Sequence, residues 1–303
     1  MRSKTVRLTL GLVLMLVLVI SALATGCGGT KDVKKVVVAS KPFTESYILA
    51  EIVSGLIENT TDITVERKLG IGGGTSNIQP AMERGEIDIY SEYTGTGWLF
   101  VLKKTDIIDK DAMLAQLKTE YSKLYKIKWL DAYGFNDTFA LAVKNAFAKE
   151  NNVNTYSDLA KISNKYRFAA EYDFYERDDG YPGLVKAYGF AFKETKDVDI
   201  GLKYEAISSG QVDAINVFST DALLLTNDLK VLTDDKNFFP PYYATTLVRE
   251  ETLAKYPELE AVLSKLTGTI SNEEMIAMNS AVDNDKKDPK VVAEEFLKSK
   301  GLI

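Results

Sequence analysis

The sequence predicts an α/β protein of two lobes facing each other across a cleft. Three observations predict it: β-branched runs alternate with stretches of helical apolar spacing, a six-residue pattern from the first half returns in the second, and 303 residues suffice for two modest domains. Strands that alternate with helices imply mostly parallel sheets covered on both faces. The loops at the carboxyl ends of such strands are free to meet a ligand.

Taken in order, Lys35 to Ala39 is a β-branched run that ends in Ser40-Lys41-Pro42-Phe43-Thr44, after which Ile48, Leu49, Ile52, Val53, Leu56 and Ile57 fall at helical spacing. A second strand spans Ile63 to Leu69. The glycine-rich turn Gly70 to Gly74 leads into a helix through Met82, and Gly85 follows its last turn as a C-terminal cap. Ile87 to Tyr90 is a short strand entering a polar loop, Ser91 to Gly97. In the second half, Thr138 to Val143 and Arg167 to Ala170 read as strands, while Tyr156 to Ile162, Leu184 to Phe190 and Gly201 to Ser209 read as helices. The repeated pattern is Gly85-Glu86-Ile87-Asp88-Ile89-Tyr90 against Gly210-Gln211-Val212-Asp213-Ala214-Ile215. Each copy follows a helix and precedes a polar loop, which sets two loops opposite each other. From Glu250 onward Leu253, Leu259, Val262, Leu263 and Leu266 mark helices that return to cover the first lobe.

The N-terminus indicates a compartment. Arg2, Lys4 and Arg7 precede an apolar run from Leu8 to Ala24, and small residues then lead to Cys27, the only cysteine in the chain. That order reads as an export signal. The run has a length at which a signal core and a short membrane span overlap. Cys27 favours a lipoprotein signal, because it stands where the thiol that receives diacylglycerol belongs and has no second cysteine to pair with. The alternative is an ordinary signal or anchor with an incidental thiol. Gly28 to Asp32 reads as a flexible tether.

Composition narrows the function. A net charge of -6 and no long run of Lys or Arg argue against nucleic acid as a partner. The chain has no histidine, so the commonest general base, the commonest zinc ligand and the Ser-His-Asp and Cys-His arrangements are missing. This argues against hydrolytic chemistry, and no metal or cofactor is expected. The glycine cluster at Gly70 to Gly74 lacks both the Lys-Ser/Thr of a phosphate loop and the spacing of a dinucleotide fingerprint. The acid pairs Glu92 with Asp88, and Asp178 with Asp179, read as solvated surface or helix starts without an accompanying nucleophile.

The aromatics carry more information. There are 16 Tyr and 13 Phe, and several fall outside periodic core positions: Phe43, Tyr93, Tyr133, Phe135, Phe139, Tyr172, Phe174, Phe218 and Tyr242 among them, while Trp98 and Trp129 read as core. A quaternary ammonium has no N–H to donate, so ring faces are its natural partners. Aromatics near Lys41, Arg177 and threonines fit a zwitterion that pairs such an ammonium with a carboxylate.

The segments Ser40-Lys41-Pro42-Phe43-Thr44-Glu45, Tyr90 to Thr96, Tyr133 to Thr138, Arg177 to Gly183, Phe218 to Asp221 and Phe239 to Tyr243 together resemble the glycine betaine/carnitine/choline-binding proteins of osmoprotectant ABC importers. The resemblance covers the whole mature chain and implies a two-lobed periplasmic-binding-protein (Venus flytrap) fold with two hinge crossovers. It implies a signal over 1–26, a tether over 27–33, one lobe from 34–137 and 242–303, and a second from 138–241. Residue by residue it implies a cage from Tyr93, Phe139, Phe218 and Tyr242, a polar contact from Thr96, and a carboxylate grip from Lys41 and Arg177. Phe139 and Phe218 depart from the tyrosines common in the family. The implied protein is not an enzyme: it is a monomeric lipoprotein, anchored through Cys27 to the extracellular face of the membrane. It passes glycine betaine or carnitine to permease subunits, with a choline-preferring or amino-acid receptor, or a tethered envelope enzyme, as alternatives.

Overall fold

Two five-stranded sheets carry the chain. The computed structural model describes residues 34–106 and 108–303; the export signal, Cys27 and the tether lie outside the described residues. Numbering strands in chain order, the first sheet contains β1 (Lys35–Ala39), β2 (Thr64–Lys68), β3 (Ile89–Tyr93), β4 (Ile127–Asn136) and β10 (Tyr243–Arg249), in the order β2-β1-β3-β10-β4. The second contains β5 (Phe139–Lys144), β6 (Arg167–Ala170), β7 (Glu194–Asp197), β8 (Ala214–Phe218) and β9 (Leu229–Val231), in the order β7-β6-β8-β5-β9.

Both sheets are mixed. Three strands of each run parallel, as strand-helix alternation predicts, and the strands nearest the crossings between sheets pair antiparallel. The chain leaves one sheet at Asn136 and enters the other at Phe139. It passes back between Val231 and Tyr243. The two crossings are tied together, Asp137 N donating to Tyr242 O at 3.0 Å and Tyr242 N to Asn136 Oδ1 at 2.6 Å.

The repeated pattern occupies matching places in the two sheets. Asp88 Oδ2 accepts from Val37 N at 2.8 Å while Asp88 N donates to Val37 O, and Asp213 Oδ2 accepts from Arg167 N at 2.8 Å while Asp213 N donates to Arg167 O. In each sheet one aspartate thus fastens the incoming strand to its parallel neighbour. The echo in sequence corresponds to this shared join.

Helix α1 (Thr44–Thr60) buries Ile48, Leu49, Ile52, Val53, Leu56 and Ile57, the positions its spacing marks. Each such burial stabilises by roughly 1.5–3 kcal/mol before the cost of ordering the chain. The helix Pro289–Ser299 packs on α1, so the C-terminal helices cover the first sheet. Trp98 and Trp129 are buried, as expected. Two readings need correction. Tyr133 and Phe135 belong to β4 and sit in the core, not in a loop, because an irregularity in the pairing of β4 with β10 breaks the simple alternation that marks a strand. The loop read at Ser91 to Gly97 is the end of β3 followed by a π-helical segment, Thr96–Val101. Among the described residues no helix is long and apolar enough to cross a membrane.

Gly134 shows how tightly β4 is docked. Its φ is +127°, and a Cβ there would lie 2.7 Å from Ile270 O. Gly134→Ala is expected to lower stability by about 1–3 kcal/mol, visible as a lowered thermal midpoint; an unchanged midpoint would contradict this packing.

Candidate functional site

The strand ends nearest the crossings bring rings together. Phe139 opens β5 and Phe218 closes β8, and antiparallel register sets them directly opposite each other. Tyr93 closes β3, paired with Ala244 of β10, and Tyr242 immediately precedes that strand. Ring centroids lie 5.3 Å apart for Phe139 and Phe218, and 5.3 Å apart for Phe139 and Tyr242. Phe43, at the N-cap of α1, stacks on Phe218 at 5.4 Å and lies 6.4 Å from Tyr93. Gly95 makes room for Tyr242, since a Cβ would come within 2.5 Å of that ring.

These rings border a cavity of about 460 Å³ between the two sheets. Every residue singled out above as a contact lines it: Lys41, Tyr93, Thr96, Phe139, Arg177, Phe218 and Tyr242. Phe43, one of the aromatics outside periodic core positions, lines it as well, although the family resemblance does not place it in the cage. The sequence reading also left out Asp137 and an acidic stretch of wall, Glu171, Asp173, Asp197 and Asp199. Single carboxylates resemble ordinary surface in sequence; only the fold gathers these along one side of the cavity, with Asp197 and Asp199 still exposed.

Both wall cations are already paired. Lys41 Nζ lies 2.5 Å from Glu92 Oε1, and Glu92 also accepts from Thr75 Oγ1, Tyr90 Oη and Tyr93 N. Arg177 donates through Nε and Nη2 to Asp179 and, across the cleft, through Nη2 to Thr96 Oγ1 at 3.2 Å. Tyr242 Oη donates to the same Asp179 at 2.7 Å. Glu92 and Asp179 are therefore buried counter-ions rather than solvated surface acids, because each faces a cation that sequence spacing alone does not bring near. Removing one partner of such a pair costs about 3–5 kcal/mol. Lys41 still has two N–H groups unused by Glu92. Its ammonium also lies 5.0 Å from the Tyr93 ring centroid.

A second group of acids stands at the crossings. Glu45, in the first turn of α1, accepts from Tyr93 Oη at 2.6 Å, from Thr220 Oγ1 at 2.6 Å and from Asn279 Nδ2 at 3.2 Å. Burial pushes its pKa up to about 6, against the opposing pull of those hydrogen bonds. Burial, with Glu45 and Asp221 nearby, also raises the Asp137 pKa well above its usual value.

Two sheets facing one cavity make a receptor for a small solute. The chain belongs to the OpuAC family, described as the substrate binding domain of an ABC-type glycine betaine transport system, which matches residues 34–299. It is 45% identical over 271 residues to the Helicobacter pylori ergothioneine transport permease/ergothioneine binding protein EgtU. That match covers 89% of this chain but only 48% of the relative, so the chain spans about half of that protein. It is 38% identical over 272 residues to the carnitine transport binding protein OpuCC of Listeria monocytogenes, covering 89% of this chain and 87% of the relative. A crystal structure described as a glycine betaine/carnitine/choline ABC transporter superposes with a TM-score of 0.68 at 35% identity, over 88% of this chain and 99% of the other. The chain is therefore a substrate-binding domain of the ABC-transport type, and the relatives named here are transport proteins.

The raised pKa of Glu45 gives a testable sign. Relative to an unfolded value of 4.5, the folded carboxyl holds its proton up to about pH 6, so this contribution to stability is present at low pH and lost as pH rises through 6. The difference is worth about 2 kcal/mol. The thermal midpoint should therefore fall between about pH 4.5 and pH 6, with Asp137 acting in the same direction, and Glu45→Gln should flatten the slope. A slope unchanged in Glu45→Gln would assign the effect elsewhere.

Proposed function

We propose that this protein captures a carboxylated quaternary ammonium solute, such as glycine betaine or carnitine, in an aromatic cage between its lobes. It would then deliver that solute to the permease subunits of an importer. The observation that carries the reading is the convergence of Tyr93, Phe139, Phe218 and Tyr242 on one cavity, with Phe43 beside them. Ring faces replace the hydration of an ammonium that cannot donate a hydrogen bond, each contributing roughly 0.5–2 kcal/mol once water is excluded. Thr96, the unused N–H groups of Lys41 and the Arg177 guanidinium serve the carboxylate end. Closure is a population shift toward the state in which the solute bridges the two lobes. Lobe boundaries at 34–137 with 242–303, and at 138–241, fit the strand membership of the two sheets. Action as a monomer, held at the extracellular face of the membrane by a lipid on Cys27, completes the proposal.

A second reading is favoured by the acidic wall. Carboxylates at Glu171, Asp173, Asp197 and Asp199 accept hydrogen bonds but donate none when ionised. They suit a betaine whose far end carries N–H groups, as the imidazole-thione ring of ergothioneine does, and the 45% identical relative is named for that compound.

Titration calorimetry with glycine betaine, carnitine, ergothioneine and choline tests both readings. Heat from at least one carboxylated betaine, at micromolar affinity, is expected. Heat from a neutral sugar and none from these four would overturn the assignment. Tyr93→Ala should weaken binding of the preferred betaine about tenfold, and unchanged affinity would remove Tyr93 from the cage.

A further inference from the structure

Lys203 is a buried cation with no part in the site described so far. It begins the short helix Lys203–Ser208, is 1% exposed, and does not line the cavity. Its ammonium makes no hydrogen bond, although it has three donors. It lies 4.2 Å from the centroid of the Phe218 ring, 3.7 Å from Glu171 Oε2 and 3.9 Å from Asp221 Oδ2. Both carboxylates are fixed to the same neighbourhood. Asp221 Oδ2 accepts from Phe218 N at 2.9 Å and from Tyr204 Oη at 2.7 Å, and Glu171 Oε1 accepts from Asn216 Nδ2 at 2.8 Å. Glu171 Oε2 has no hydrogen-bond partner, and Glu171 itself lines the cavity. The Lys203 ammonium is thus held against one ring of the cage, between two carboxylates.

We propose that Lys203 sets the charge selectivity of the site: its ammonium, held on Phe218 by Glu171 and Asp221, disfavours bare cations relative to ligands that carry their own carboxylate. The inference rests on the cage reading above. A ligand ammonium in useful contact with Phe218 lies within about 6 Å of the ring centroid. It is then at most about 10 Å from the Lys203 ammonium, whichever face it approaches. At an effective dielectric of about 20, one unit charge at that distance changes a binding constant by roughly tenfold or more. A bare cation such as choline meets that repulsion in full. A betaine largely cancels it, because its carboxylate is attracted to the same ammonium from a few ångströms further away. The neighbouring carboxylates do not remove the effect; they set the background against which one positive charge is added or lost.

The test is competition calorimetry with choline and with whichever carboxylated betaine the wild type binds, reading the ratio of the two affinities. Lys203→Met should shift that ratio toward choline by about tenfold, while Lys203→Arg, which keeps the charge, should leave it near the wild-type value. An unchanged ratio in a folded Lys203→Met protein would overturn the proposal and leave Lys203 as a packing residue. If circular dichroism shows that this variant does not fold, Lys203→Gln, which removes the charge but keeps a polar head beside Glu171 and Asp221, carries the test with the same sign. A ratio shifted toward choline supports the proposal and an unmoved ratio overturns it. Wild-type protein that binds neither ligand would overturn the cage reading itself, an outcome distinct from an unmoved ratio.

Discussion

A charge taken out of water must be paired, neutralised by a proton, or set against π density, and the cleft of this protein uses all three. Lys41 with Glu92 and Arg177 with Asp179 are paired. Glu45 and Asp137, crowded at the crossings, have raised pKa values. Lys203 rests on a ring. Because the cations bordering the cavity already have counter-ions, the wall carries little free positive charge, and on the proposed reading a ligand ammonium meets the rings that border the cavity.

Hinge and cage are one structure. The four rings named from the sequence stand at or beside strand ends where the chain passes between sheets, and the crossings are hydrogen-bonded to each other. A relative motion of the lobes therefore changes the spacing of Tyr93 and Phe218 along with the hydrogen bonds from Arg177 to Thr96 and from Thr220 to Glu45. Tyr93 takes part in both sets, since its ring lines the cavity and its hydroxyl ends on the carboxylate that also receives Thr220. On the reading proposed above, these shared groups couple occupancy of the cavity to closure of the lobes.

The two phenylalanines that depart from the family pattern have a physical setting. Phe139 is surrounded by rings, with centroids of Phe174 at 5.1 Å, Phe218 at 5.3 Å and Phe239 at 5.7 Å. A phenolic oxygen placed among them would need a polar partner, and its loss leaves the π face intact. At Phe218 the ring already faces the Lys203 ammonium and Phe43. These rings keep the part of tyrosine that an ammonium uses and dispense with the part that would need its own hydrogen bond.

Features that depend on neighbours along the chain could be read without the fold. Period and β-branching located α1 and the strand at Lys35, the recurring Asp88 and Asp213 marked the matching joins of two sheets, and motif resemblance named the cavity residues. These features were legible because helix spacing, strand runs and short motifs are local. Tertiary structure alone decided the mixed direction of the sheets, the burial of Glu92 and Asp179, the place of Phe43 in the ring cluster and the acidic wall from Glu171 to Asp199. Lys203 belongs with these. Its sequence neighbours give no sign of Phe218, and only the packing of its helix near the end of β8 brings the charge to the ring. Whether an ionisable side chain is solvated, paired or set on a ring depends on distances between residues far apart in sequence, and folding fixes those distances.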